Sequence, residues 1–121
     1  MPAAAPLKGK RVLITGPTTG IGREIALELA GLGADLVLGC RDVARGARVV
    51  DDIRAATGAS TLDVVTIDTS SEHSIRTCAA RLRTLLPRLD VLVNNAGISN
   101  SERLDSVDGI ELTFATNVLG Y

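Results

Sequence analysis

The sequence predicts an α/β fold, a doubly wound layer sandwich on a parallel sheet with strand order 3-2-1-4, truncated after the helix that follows strand 4. Three observations predict it. Short apolar, β-branched runs alternate with helical stripes from one end of the chain to the other. A glycine turn, Gly16-x-x-x-Gly20-x-Gly22, joins the first run to the first stripe. Polar residues and glycines gather where the runs end, while the run interiors stay apolar. Strands separated by helices pair in parallel through right-handed crossovers, and such sheets bind ligands at strand carboxyl ends where the strand order reverses.

Residues 1–10 are small and proline-containing and read as a flexible lead, with Leu7 able to dock; residues 11–121 form the domain. Val12 to Thr15 is the first strand. The helix after the glycine turn repeats Ile21, Ile25, Leu29 and Leu32 at helical spacing, a stripe expected to pack on the sheet, and Gly31 and Gly33 stop it. Ala34 to Cys40 is the second strand. The second helix, from about Asp42 to Thr57, turns Ala47, Val50 and Ile53 inward and most of its charges, Arg45 among them, outward before Gly58 ends it. Leu62 to Asp68 is the third strand, and Thr69-Ser70-Ser71 offers caps for the third helix. That helix carries Ile75, Cys78, Ala79, Leu82, Leu85 and Leu86 in the cleanest stripe of the chain, up to Pro87. Asp90 to Asn95 is nearly continuous in apolar residues, as in a strand buried on both faces. A polar loop from Ala96 to about Asp108 leads to a last helix, near Gly109 to Leu119.

Composition narrows the function. An apolar fraction of 45% suits a globular core. A net charge of −1 with only two aromatics, Phe114 and Tyr121, argues against nucleic-acid binding. No apolar run approaches a membrane span, and the lead lacks a hydrophobic signal region, so the expected compartment is the cytoplasm. Cys40 and Cys78 form no Cys-x-x-Cys pair and read as buried small hydrophobes. No cluster has metal-ligand spacing, and lone His73 at a helix start reads as a surface residue.

The strand ends carry the chemistry. The glycine turn aims unpaired helix N–H groups, and the positive end of the helix dipole, at one point, which suits a phosphate. Pro17 within it removes one of those donors. The end of the second strand, where a dinucleotide-binding unit meets the adenosine ribose, holds Cys40 and Arg41. A carboxylate there would repel a 2′-phosphate, whereas a guanidinium matches its oxygens; the plainer reading of Arg41 is a surface arginine. Asp68 either accepts from an adenine amino group or caps the next helix. Asn94 and Asn95 either link neighbouring strand ends or touch a ligand, and Ala96 and Gly97 let backbone approach a ribose.

Together Thr15-Gly16-x-x-x-Gly20-Ile21-Gly22, Cys40-Arg41, Asp68 and Asn94-Asn95-Ala96-Gly97-Ile98 resemble the short-chain dehydrogenase/reductase family. The resemblance covers residues 8 to 121, and Asp108-Gly109-Ile110-Glu111 and Thr116-Asn117-Val118-Leu119-Gly120 look most like its retinol-dehydrogenase-like and protochlorophyllide-reductase-like branch. It implies a Rossmann-type domain that binds NAD(P) and transfers hydride between nicotinamide and an alcohol or carbonyl substrate, commonly in a homo-oligomer. By resemblance, Gly16, Thr18, Thr19 and Ile21 hold the phosphates, and Gly20, Gly22 and Thr69 also belong to the cofactor site. Arg41 holds the 2′-phosphate, favouring NADP over NAD; Asp68 holds the adenine; Asn95, Ala96 and Gly97 hold the ribose. Asn117 matches the family asparagine that positions a proton-relay water. The family's Ser and Tyr-x-x-x-Lys are missing: the only tyrosine is Tyr121 and the only lysines are Lys8 and Lys10. Without a phenol beside an ammonium the 121 residues are expected to be inactive alone. The alternative is a non-catalytic nucleotide-binding or interaction module of the same origin.

Overall fold

A computed structural model describes residues 5–121; the first four residues of the expected lead lie outside the described residues. The chain runs β1 (Arg11–Thr15), α1 (Gly20–Gly31), β2 (Asp35–Cys40), α2 (Val43–Thr57), β3 (Leu62–Thr66), α3 (Glu72–Leu85), β4 (Val91–Val93) and α4 (Leu112–Phe114), which passes into a five-residue π turn (Ala115–Leu119). The sheet is parallel throughout, as the alternation of strand and helix predicts, and runs in the expected order β3-β2-β1-β4. Register sets Leu13 beside Val37 and Leu92, so alternate residues of the three strands share a face.

On one face Val12, Ile14, Leu36 and Leu38 pack with Ala26, Ala30, Val49, Val50 and Ile53 of α1 and α2. On the other, Leu13, Val37 and Val65 pack with Cys78 of α3. Burying each large side chain contributes about 1.5–3 kcal/mol, so the first face carries most of the stability. Leu7 packs on that same cluster, and its N–H donates to the Leu32 carbonyl at 3.0 Å.

Several expectations need correction. The buried line of α1 is Gly22, Ala26 and Ala30, not the stripe through Ile21 and Leu32; Ile25 and Leu29 are only half-buried. Small residues win because α1 lies close to the sheet, and Ile21, 75% exposed, faces the cleft instead. In α2 Ala47 is exposed, and Gly46 and Val49 are buried in its place. A Cβ on Gly46 would stand 2.9 Å from both the Cys40 sulfur and a Val64 methyl, so only glycine fits the crossing. The stripe of α3 keeps only Cys78 buried, with Leu85 exposed. β4 shrinks to three residues, and Val91 (42%) and Leu92 (51%) are open to solvent because the strand forms the sheet edge. The last helix also starts later than expected, at Leu112 behind the cap Glu111, because Gly109 takes a left-handed turn (φ +73°).

Candidate functional site, a cleft at the strand carboxyl ends

The carboxyl ends of β1, β2 and β3 and the segment following β4 surround an open cleft of about 420 Å³. Its floor is tied together by Asn95 and Thr15. The Asn95 side-chain amide donates to the Thr15 carbonyl (3.1 Å) and the Gly16 carbonyl (3.0 Å). The Thr15 hydroxyl in turn accepts from the backbone N–H of Asn95 (3.1 Å) and of Ala96 (3.0 Å). A half-buried amide must find partners, and here both are strand-end carbonyls, so Asn95 links the strand ends.

Above that floor the glycines shape the turn. Gly16 (φ +67°) and Gly20 (φ +55°) occupy the left-handed region, which costs an L side chain strain. A Cβ on Gly16 would lie 2.9 Å from the Ala96 Cα, and one on Gly22 would overlap the Gly16 carbonyl oxygen and the Asn95 amide nitrogen. Nothing lies within 4 Å of a Cβ built on Gly20, so that position borders open cleft. Pro17, within the turn, is fully buried.

The helix behind this turn is unusual in its start. α2, α3 and α4 each begin with a side-chain cap, from Asp42, Ser71 and Glu111. Thr19, at the start of α1, makes no such bond, and no acidic residue sits in the first turn. The α1 amides therefore meet the cleft without a side-chain acceptor, with the dipole's positive end behind them.

The second wall is basic. Arg41 is exposed at the end of β2 and, among the described residues, forms no ion pair or side-chain hydrogen bond. Asp42 beside it caps α2, its carboxylate accepting from the Arg45 N–H at 3.1 Å. Arg45, read from sequence as outward, is exposed but lines the cleft as well. The signal for it was its place in the first turn of α2, four residues after Arg41. Burial, then the Asp42 carboxylate, pushes the Cys40 thiol up to about 11, so it stays a neutral part of the wall.

Asp68 and Thr69 form the third wall. Asp68 Oδ1 accepts from the Ser70 N–H (2.9 Å) and hydroxyl (2.6 Å), holding the turn into α3, while the residue still borders the cleft. Asp68 therefore does not cap α3, whose cap is Ser71; it braces the turn that leads into the helix. Beyond β4, Ala96, Gly97 and Ile98 close the fourth side. Asn117 stands behind this segment, not in the cleft: its Oδ1 accepts from the Ile98 N–H (2.9 Å) and its Nδ2 donates to the Ile98 carbonyl (2.8 Å). All twelve residues expected at a cofactor border the one cleft, and Ile98 and Thr116, which sequence reasoning passed over, join them. Among the described residues no group of three or more His, Cys, Asp or Glu could hold a metal ion, and no helix is long and apolar enough to cross a membrane.

Relatives share this architecture. The family model for short chain dehydrogenases matches residues 10–121. Human retinol dehydrogenase 13 is 38% identical over 120 residues, which cover 99% of this chain and 36% of that protein. Mouse retinol dehydrogenase 12 is 42% identical over 115 residues, covering 95% and 36%. Among solved structures, a Pseudomonas aeruginosa RhlG/NADP active-site complex aligns with a TM-score of 0.82 and 35% identity, over 99% of this chain and 46% of that one. A short-chain dehydrogenase from Sphingobium yanoikuyae in complex with NADPH aligns at 0.76 and 31%, over 92% and 44%. The chain thus spans about a third of the length of the curated relatives it matches. Sheet order, glycine turn and sequence agree, and the chain belongs to the short-chain dehydrogenase family.

Proposed function

We propose that these 121 residues are the NADP(H)-binding portion of an oxidoreductase that moves hydride between nicotinamide and an alcohol or carbonyl compound. One observation carries the reading: the uncapped start of α1 faces Arg41 and Arg45 across a single cleft. The bare amides suit a pyrophosphate, the open space at Gly20 lets it approach the backbone, and the two guanidinium groups suit a phosphate on the adenosine ribose. Two neighbours of known structure carry NADP or NADPH by their descriptions, which supports the same preference. Asp68 and Thr69 then border the adenine, and Asn95, through its hold on Gly16, sets the turn rather than touching ligand itself.

Hydride transfer needs more than this chain supplies. The only tyrosine, Tyr121, has no lysine beside it in sequence, since the lysines are Lys8 and Lys10. The Asn117 amide is engaged on both sides by the Ile98 backbone, so its part in any proton relay is to hold that segment in place. The 121 residues alone bind cofactor and do not turn it over; the family's acid/base pair and substrate pocket, with any homo-oligomeric contacts, belong to a longer assembly, and the cytoplasm is the compartment we assign. Calorimetric titration with NADPH and with NADH tests the reading. NADPH should bind about one to two decades more tightly, the value of one charge-assisted bond. Equal affinities would remove the role of the two arginines, binding of neither would leave only the fold, and NADPH oxidation by the purified chain with an aldehyde would overturn the claim of inactivity.

A further inference from the structure

The π turn and the two residues after it touch opposite walls of the cleft. Gly120 donates its N–H to the Ala115 carbonyl at 2.8 Å, a wide i to i−5 closure that swings the chain end toward β3. There Gly120 presses on Thr69: a Cβ built on it would overlap the Thr69 carbonyl oxygen, stand 2.8 Å from the Thr69 Cβ and 3.0 Å from the Thr116 carbonyl oxygen. Thr69 and Thr116 are both buried, and both border the cleft. Tyr121 then reaches back across, its hydroxyl donating to the Ala96 carbonyl at 2.6 Å. We infer that Gly120 is a positioning residue for the adenine end of the cleft. Its missing side chain seats the π turn on Thr69 and so fixes the distance between the wall after β3 and the wall after β4.

The contact leaves no compliant neighbour to give way, because backbone oxygen and a Cβ lie on the far side. A methyl group at position 120 therefore drives the segment off Thr69, and Thr116 and the Tyr121 hydroxyl withdraw with it. The glycine turn, the start of α1 and Arg41 lie on other elements and keep their places. The effect is thus confined to one end of the ligand.

This inference rests on the nucleotide reading of the cleft, and its test separates the two. Wild type and Gly120→Ala are titrated with NADPH, with 2′,5′-ADP as a probe of the adenine end, and with inorganic pyrophosphate as a probe of the glycine turn. NADPH and 2′,5′-ADP should bind about tenfold more weakly to the variant, the low end of what overpacking a tight contact brings, with pyrophosphate affinity unchanged. Tyr121 is the only tyrosine and the chain has no tryptophan, so tyrosine emission reports this segment alone; it should change on adding 2′,5′-ADP to wild type but not to the variant. Equal 2′,5′-ADP affinity in both proteins, or an equal loss for pyrophosphate, overturns the inference while the nucleotide site stands. Failure of wild type to bind NADPH or 2′,5′-ADP overturns both. Where Gly120→Ala does not fold, hydrogen exchange on wild type decides: 2′,5′-ADP must slow exchange at residues 115–120, and no slowing there overturns the positioning role.

Discussion

The Asn95 side-chain amide holds the Gly16 carbonyl oxygen at 3.0 Å, fastening the segment after β4 to the turn after β1. Both amide hydrogens are used, the second on Thr15. Asn95→Ala leaves two strand-end carbonyls without that donor, and the loss should be about 1–3 kcal/mol of stability, the cost of stranded polar groups. Asn95→Asp should cost more, because it points carboxylate oxygen at two carbonyl oxygens. Urea unfolding of the three proteins gives the order; an aspartate variant more stable than the alanine variant would contradict this bonding.

Gly22 and Gly20 separate packing from ligand approach. A Cβ on Gly22 meets the Gly16 carbonyl and the Asn95 amide, so Gly22→Ala must break the link between them and should cost about 1–3 kcal/mol, with cofactor binding lost as well. Gly20→Ala meets no atom, and its only folding cost is the left-handed backbone (φ +55°), about 1–2 kcal/mol. Its larger effect should be on binding, since the methyl group stands in the open space where the proposed reading brings a phosphate. Thermal unfolding and NADPH titration of each variant check the contrast. Full NADPH affinity in Gly20→Ala would show that the ligand does not come to this turn.

These glycines also show how far sequence reading reaches. Gly16, Gly20 and Gly22 were legible because a strand, a sharp turn and a helix leave few other solutions for that spacing. The parallel sheet followed from the strict alternation of elements, and its order from the dinucleotide-binding character of the turn after β1. The inward face of α1 was not legible from apolar periodicity, because closeness to the sheet selects Gly22, Ala26 and Ala30 over larger Ile21 and Leu32. β4 misled for a different reason. Its composition is that of a strand covered on both faces, yet Val91 and Leu92 are exposed at an edge, and composition cannot report which neighbours are present. Arg45 escaped notice since a charged residue on a helix normally faces water, and only the fold brings that helix start to the cleft.

At the opposite end of the sheet Asp90 joins β4 to β1. Its Oδ2 accepts from the Arg11 N–H at 2.8 Å, and Arg88 adds a bond to Oδ1 at 3.2 Å while also reaching the Gly9 carbonyl at 2.7 Å. The Arg11 amide first, then Arg88, hold the carboxyl below its ordinary value of 3.8. A carboxyl that is more acidic folded than unfolded stabilises the fold fully above that ordinary value and loses its contribution as pH falls through the lower folded value. Asp90→Asn should therefore lower the urea midpoint at neutral pH, with the gap to wild type narrowing as the pH drops below 3.8. A gap independent of pH would mean that charge on Asp90 plays no part.

Arg41 and Arg45 should divide the recognition of a ribose phosphate unequally. Both border the cleft, but Arg41 leaves the end of β2 directly, while Arg45 sits on the first turn of α2, where its N–H is held by Asp42. Replacing Arg41 by alanine should weaken NADPH by about 1.5–3 kcal/mol, one charge-assisted bond, and leave NADH unchanged. Arg45→Ala should weaken NADPH less, and the double variant should lose less than the two single losses added, because groups that grip one phosphate are coupled. Exposed guanidinium groups act through screened charge, so raising the salt concentration should shrink the difference between NADPH and NADH in wild type and leave it near zero in the double variant. Calorimetry at two salt concentrations measures all four proteins. A preference for NADPH that survives removal of both arginines would place the discrimination elsewhere in the cleft.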